Sequence, residues 1–231
     1  MKQYILHVLC EGQTEDDFCA HVLKPYLRQY GIVVKSQILV TNRKRNLCGG
    51  LLSYEQAKND LILMRRQFVD TNSVEHWFTT MFDLYALPNE FPGMDVNIVD
   101  KYGKVEHVEM AIAKNLQVAH LIPYIELHEF EALVFAAYQR FPLLFSDLEG
   151  RLGIIEKVLK SYQGNPELIN SSRDTSPSHR IAQFLSSKGH AYNKPKVGWT
   201  ITQYEGIDNL RRKCAHFNLW LEKLIGITAA S

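Results

Sequence analysis

The sequence predicts an α/β protein in which a parallel sheet is flanked by helices and followed by a helical C-terminal extension. Short apolar, β-prone runs alternate with helical periodicity in the first part of the chain, which is the order that builds a parallel sheet. The chain has 231 residues, of which 46% are hydrophobic and 22% charged, enough for one sizeable α/β domain. Helical patterns dominate later, so we divide the chain into an α/β core (1–140) and a mainly helical part (141–231) packed on it.

Four segments have the composition of strands. The first, YILHVLC at residues 4–10, is apolar throughout, which is typical of a strand buried on both faces. The remaining predicted strands are residues 32–41, 76–84 and 120–127.

Helical spacing connects these strands. Phe18, Val22 and Tyr26 recur every four residues and predict a helix over 14–30, with Thr14 as its N-cap. The other predicted helices are residues 53–70, 104–118, 129–140, 150–162, 178–187 and 207–225.

Composition excludes several classes of protein. The net charge of +1 argues against a nucleic-acid binder that works through a large basic excess. Four cysteines without CxxC spacing indicate free, buried thiols. The N-terminus lacks a secretory pattern, and no run approaches the roughly 20 apolar residues of a membrane span. We therefore expect a cytoplasmic protein with no membrane partner.

Acidic side chains follow three of the predicted strands. Glu11 comes after the first strand, Asp83 ends the third, and Glu126 and Glu129 come at the end of the fourth, beside His128. Ligands of open parallel sheets bind at the carboxyl ends of the strands, so these acids should share one edge. Clustered carboxylates repel one another and require a proton or a cation to stabilise them.

The ligand chemistry at this edge predicts Mg²⁺ or Mn²⁺. Carboxylate oxygens dominate and no thiol pair lies nearby, which disfavours zinc. Two such ions about 3.5–4 Å apart commonly cleave phosphodiesters, one by activating water and the other by stabilising the leaving oxygen.

Some of these residues have a structural alternative. Glu15, Asp16 and Asp17 could complement a helix dipole, acids around Glu129 could be helix caps, and His128 could be a structural histidine. Glu11 and Asp83 do not suit a cap or a buried strand, so a functional role is favoured for both.

Basic and hydroxyl side chains provide candidate contacts to phosphate. Ser178, His179 and Arg180 lie near a predicted helix start, where backbone N–H groups and a guanidinium could hold a phosphate; a plain N-cap explains the serines equally well. Arg43, Lys44 and Arg45 form a basic loop that could contact a polynucleotide, although such runs are most often solvated surface.

An ordered set of motifs carries a resemblance to a known family. These are CEGQTEDDF, MFDLYALPNEFPG and PYIELHEFEALVF, followed by NPELIN, TSPSHRI and RRKCAHFNLWL. Together they resemble the family of domain of unknown function 4276 (DUF4276), whose Toprim-like domain is similar to that of the overcoming-lysogenisation-defect (OLD) nucleases. The resemblance spans most of the chain and implies a Toprim-like fold.

The resemblance also implies roles for individual residues. Toprim domains handle Mg²⁺ with a glutamate after the first strand, here Glu11, and an Asp-x-Asp motif, here starting at Asp83. Tyr85 stands where the second aspartate is expected, so Glu126 and Glu129 would supply the missing ligands. The remaining implied roles are a second-metal ligand, Glu15, and a lysine near the phosphate, Lys194 or Lys196.

The sequence thus predicts a nuclease that cuts DNA or RNA with two Mg²⁺ or Mn²⁺ ions, and the resemblance suggests anti-phage defence. No GxxxxGK[ST] motif occurs, so the ATPase that works with similar nucleases would be encoded separately. A regulatory binding subunit and a phosphohydrolase of small nucleotides remain as alternatives. The oligomeric state, including a homo-oligomer, stays open.

Overall fold

The computed structural model describes residues 2–42, 47–48, 50–169 and 175–229, with only the backbone for 41–42, 47–48 and 86. The main sheet is entirely parallel, in the order β2-β1-β5-β6, and β7 pairs with β5 beyond β6. A separate antiparallel pair joins β3 to β4. The strands are β1 (Gln3–Cys10), β2 (Ile32–Ile38), β3 (Val40–Asn42), β4 (Leu47–Cys48), β5 (Val74–Asp83), β6 (Leu121–Ile122) and β7 (Ile125–Glu126).

Helices cover both faces of this sheet, so the predicted fold class is confirmed. The helices are α1 (Gln13–Phe18), α2 (Lys24–Arg28), α3 (Tyr54–Gln67), α4 (Lys101–Leu116), α5 (Glu131–Ala136), α6 (Phe141–Leu144), α7 (Gly153–Ser161), α8 (Pro177–Ser186), α9 (Lys194–Glu205), α10 (Ile207–Lys213) and α11 (Ala215–Ile225). Helices α3 and α4 pack on one face, and α1, α2 and the C-terminal helices pack on the other.

Strand β1 lies in the centre, and alternate side chains enter two hydrophobic cores. Leu6 and Val8 join the core shared with the C-terminal helices, while Leu9 joins the core under α3 and α4. The α11 side chain of Trp220 stacks on Tyr124 with ring centroids 4.3 Å apart. The C-terminal part therefore packs directly on the sheet, and the boundary at residue 140 stays a prediction.

The predicted strand 120–127 is interrupted. Pro123 has no N–H group to donate to a sheet, so the ladder breaks there and resumes at β7. Two β5 threonines make the missing hydrogen bonds with their side chains: Thr79 Oγ1 donates to the carbonyl of Ile122 at 2.6 Å, and Thr80 Oγ1 accepts from the N–H of Tyr124 at 2.9 Å. Similarly, the predicted strand 32–41 leaves the main sheet after Ile38 and continues as β3.

Several predicted helix boundaries were wrong. The N-cap of α1 is Gly12 and not Thr14, because Glu15 accepts a hydrogen bond from the Gly12 N–H at 2.8 Å. The predicted helix 14–30 contains a wider π-helical turn, Cys19–Leu23. Cys214 is extended and divides the predicted helix 207–225 into α10 and α11. The predicted helix 129–140 is observed as the shorter helix α5. Helix α9 was not predicted.

Cys10, Cys19 and Cys214 are buried free thiols, as predicted, whereas the side chain of Cys48 lies outside the described part of the chain. Among the described residues, no helix is long and apolar enough to cross a membrane.

Candidate acidic site at the strand ends

Glu11 connects the ends of β1 and β5. Its Oε2 atom accepts a hydrogen bond from the backbone N–H of Asp83 at 3.1 Å, and its own N–H donates to the carbonyl of Met81. Burial raises the pKa of Glu11, although the N–H groups of Asp83 and Leu51 and the charge of Lys194 act against this. The predicted proximity of Glu11 and Asp83 is therefore seen directly.

Glu15 lies one helical turn further along and is buried. Burial, together with the charges of Glu11 and Glu131, raises the pKa of Glu15 to about 7, against the hydrogen bonds that it accepts from the backbone. The side chain caps α1 through Gly12, but it also belongs to the acidic cluster. A role in the helix dipole alone does not explain its burial beside other carboxylates.

Asp83 is fixed by the start of the segment that leads into α5. Its Oδ1 atom accepts a hydrogen bond from the Phe130 N–H at 3.1 Å. Burial and the charges of Glu15 and Glu11 raise the pKa of Asp83 well above its usual range. The parallel register of β5 and β7 pairs Asp83 with Glu126, so the two carboxylates leave the sheet on the same face.

Glu126 has the least satisfied carboxylate of the cluster. Its side chain is 1% exposed, and its Oε1 atom has no hydrogen-bond partner among the described residues. Burial and the charges of Glu167 and Glu15 raise the pKa of Glu126 well above its usual range, although the neighbouring Tyr124 hydroxyl acts against this. A buried carboxylate oxygen without a donor is costly, and the neighbouring Tyr124 hydroxyl, which is also buried without a partner among the described residues, a proton or a cation would each stabilise it.

Lys194 lies against the acids, whereas Lys196 does not contact them. The Lys194 ammonium is 3.0 Å from Oε1 of Glu131, which also accepts a hydrogen bond from the Tyr192 hydroxyl at 3.1 Å. Although burial acts against it, the charges of Glu131, Glu129 and Asp83 raise the pKa of Lys194. Lys196 is exposed, and the hydrogen bonds described for it involve only its backbone atoms.

Glu129 connects the acidic site to the start of α8. Its Oε2 atom accepts a hydrogen bond from the Ser178 N–H at 2.9 Å. The His179 N–H donates to Ser176 Oγ, the N-cap of α8, and the Arg180 Nε donates to the Thr175 carbonyl at 2.6 Å. The groups predicted to hold a phosphate therefore lie next to the acids, but they already have partners within the protein.

Two further predictions concern the basic loop and His128. Arg43, Lys44 and Arg45 lie outside the described residues, so their predicted contacts stay predictions. His128 is buried, and burial together with the charge of Lys101 lowers its pKa to about 4, so it is neutral at physiological pH. The sequence suggested that His128 and Glu131, three residues apart, could share a helical face, but it did not assign Glu131 to the site, and α5 begins only at Glu131.

The donor set fits a hard divalent cation, although the ligands are not gathered. In the described part of the chain, no three acidic, histidine or cysteine side chains are close enough to hold a metal ion as they stand. However, Glu11, Glu15 and Asp83 each accept a backbone N–H on one carboxylate oxygen, and Glu126 has an unpartnered oxygen. Oxygen donors of this kind are those that Mg²⁺ and Mn²⁺ prefer.

Comparison with known proteins gives a family and a set of similar structures. The family described as domain of unknown function (DUF4276) matches residues 10–225. The C-terminal region of the Xanthomonas campestris pv. campestris OLD protein is 14% identical, with a TM-score of 0.41 and coverage of 97% of this chain and 96% of that chain. The C-terminal region of the Burkholderia pseudomallei OLD protein is 11% identical, with a TM-score of 0.41 and coverage of 97% and 99%. No curated protein matches the chain.

Proposed function

The chain belongs to the DUF4276 family, and we propose that it is a nuclease that hydrolyses phosphodiester bonds of DNA or RNA with two Mg²⁺ or Mn²⁺ ions. The observation that carries this proposal is that Glu11, Glu15, Asp83 and Glu126 lie at or just beyond the carboxyl ends of parallel strands, where burial raises the pKa of each carboxyl. The raised pKa values mean that the ionised carboxylates are destabilised by burial and by one another, and a bound cation would relieve this.

These acids, with Glu129, would hold the cations. When bound, the cations would supply Lewis-acid stabilisation of the leaving oxygen and activation of a water nucleophile. Backbone N–H groups fix one oxygen of Glu11 and one of Asp83, which orients the second oxygen of each. Glu129 would have to leave the Ser178 N–H to act as a ligand.

Lys194 is the best candidate for the lysine that contacts the phosphate, a role that the sequence also offered to Lys196. Its ammonium lies among the acids and its pKa is raised, so it stays charged at neutral pH. An ammonium at this position would neutralise and orient the phosphate. Ser178, His179 and Arg180 would contact the adjacent part of the substrate.

A regulatory binding subunit is the second candidate function. Tyr85 stands at the position of the second Toprim aspartate, and the described acids do not form a ready three-ligand group. In that case the chain would bind nucleic acid without cutting it. A phosphohydrolase of small nucleotides would use the same acids as the nuclease. A separately encoded ATPase, anti-phage defence, a homo-oligomer and a cytoplasmic location belong to the same proposal.

The test is cleavage of plasmid DNA and of RNA in Mg²⁺, Mn²⁺ or EDTA. We expect metal-dependent cleavage that Glu11→Gln and Asp83→Asn each reduce on the order of 100-fold or more. Asp17→Asn is the matched control, because Asp17 lies in α1 and bonds to the Gln13 side chain at the surface; its activity should stay near that of the wild type. Equal cleavage by the wild type and both site variants would contradict the proposal. If the site variants instead lost only the hydrolysis of small nucleotides, the phosphohydrolase would be favoured.

A further inference from the structure

An open cleft adjoins the acidic site. It has a volume of about 610 Å³ and is lined by side chains that include Tyr85, Glu129, Ser178, His179, Tyr192 and Lys194. This volume is within the range of roughly 300–1,000 Å³ that is typical of small-ligand pockets, so the cleft can accommodate a nucleotide.

The cleft lies beside the acids. Glu129 and Lys194 line the cleft, and their charges interact with each other. The charge of Lys194 also interacts with Asp83 and with Glu11. Because the Lys194 ammonium lines the cleft and lies 3.0 Å from Oε1 of Glu131, a phosphate bound beside Lys194 would have its neighbouring nucleoside within reach of the cleft.

Tyr85 provides an aromatic ring at this surface. It follows Asp83 by two residues in a short 3₁₀ turn, Leu84–Ala86, and its backbone N–H donates to the His128 carbonyl at 3.2 Å. Its side chain is 48% exposed, and it makes no ring–ring contact or side-chain hydrogen bond with the described residues. The backbone is fixed while the ring is available to a ligand.

We propose that Tyr85 stacks on an unpaired nucleobase next to the phosphate held at the acidic site, so that the chain prefers single strands or unpaired ends. This inference rests on the proposed function and adds the substrate class. Stacking of a base on an aromatic side chain contributes roughly 1–3 kcal/mol and tolerates any base. Bases inside a duplex are already stacked on their neighbours and cannot use the ring without being extruded.

Exposed tyrosines are common on protein surfaces, so exposure alone does not identify Tyr85 as a ligand contact; its position in the cleft does. Tyr204, near the C-terminal end of α9, is similarly exposed at 46% but does not line the cleft. It provides a matched control, because Tyr204→Ala removes an equivalent ring from a different surface.

The experiment measures fluorescence anisotropy of a short labelled oligothymidylate, an abasic tetrahydrofuran analogue of the same length and a blunt duplex, in Ca²⁺ and in EDTA. We expect Tyr85→Ala to weaken binding of the oligothymidylate by roughly five- to hundredfold. Tyr85→Phe, which keeps the ring, and Tyr204→Ala should bind as the wild type does. The abasic analogue should bind the wild type and Tyr85→Ala equally. The wild type should bind the blunt duplex more weakly than the oligothymidylate.

Five results would overturn the inference: wild-type affinity in Tyr85→Ala, equal loss of affinity for the abasic analogue, equal loss in Tyr85→Phe, equal affinity of the wild type for the duplex and the oligothymidylate, or no oligothymidylate binding by the wild type. Failure of the nuclease proposal is distinguishable, because it appears as cleavage that persists in Glu11→Gln. Binding that depends on Tyr85 without metal-dependent cleavage would support the stacking role and favour the binding-subunit function.

Discussion

Replacing Lys194 with methionine tests which lysine belongs to the acidic site. The Lys194 ammonium lies 3.0 Å from Oε1 of Glu131, whose side chain is 2% exposed. Among the described residues, Lys194→Met leaves this buried carboxyl with the Tyr192 hydroxyl as its hydrogen-bond donor. Breaking a fully buried pair costs roughly 3–5 kcal/mol. Because the Lys194 side chain is 47% exposed, water screens the pair, and we expect a loss of about 1–3 kcal/mol in the free energy of unfolding.

The assay is urea denaturation in EDTA near neutral pH, carried out as a double-mutant cycle with Glu131→Gln. Glu131→Gln removes the charge that Lys194 neutralises, so Lys194→Met should cost less in that background. Lys196→Met is the matched control, because it removes the same charge from an exposed position of the same helix. It should change stability by no more than about 0.5 kcal/mol.

Three results would refute this reasoning. Lys194→Met could leave stability unchanged, Lys196→Met could destabilise the chain equally, or the effects of Lys194→Met and Glu131→Gln could be additive. The first and third results would mean that the ammonium of Lys194 does not interact with Glu131 in solution, and the second would mean that loss of a lysine from this helix costs stability whether or not the lysine contacts the acids.

Two further predictions concern stability. Burial, followed by the charges of His76 and Lys35, lowers the pKa of His7 from 6.5 to about 4. At this site the unfolded chain therefore binds more protons between these values, and the contribution of His7 to stability should fall by about 3 kcal/mol as the pH decreases through them. Urea denaturation over this pH range should show a smaller loss for His7→Phe, and parallel profiles would contradict the assignment. The Lys104 ammonium donates to the carbonyls of Gly93, Met94 and Val96 at 2.9, 2.9 and 2.8 Å. Lys104→Met should therefore reduce the free energy of unfolding by about 1–3 kcal/mol and speed amide hydrogen exchange around these residues. Lys114→Met, at an exposed position of the same helix, should do neither, and equal exchange in the two variants would contradict the prediction.

The sequence was sufficient for the sheet and for the edge at which the acids lie. In parallel strands every carboxyl end points the same way, so Glu11, Asp83 and Glu126 had to share an edge whatever the strand order. The hydrogen bond from the Asp83 N–H to Glu11 is one consequence of this geometry.

Features that depend on distant residues could not be predicted. Pro123 itself was a usable signal for a break in the predicted strand, but the side-chain hydrogen bonds from Thr79 and Thr80 of another strand that stabilise this break could not be predicted. The contact between Glu129 and the Ser178 N–H joins segments that are 49 residues apart. These partners meet only after the chain has folded.

Helix α9 was missed for a local reason. Its polar first turn has no hydrophobic period, although Asn193 as N-cap and Pro195 in the first turn were usable signals. Without the helix, the directions of Lys194 and Lys196 could not be distinguished, because they depend on rotation about the helix axis.

Calorimetric titration of Mg²⁺ and of Mn²⁺ into the wild type, Glu11→Gln and Asp83→Asn tests the acidic site most directly. We expect the wild type to bind both ions and each variant to bind them more weakly on the order of 10- to 100-fold or more, since each loses a carboxylate ligand. Asp17→Asn should bind like the wild type. Absence of binding by the wild type, or unchanged affinity in both site variants, would contradict a cation site at the strand ends.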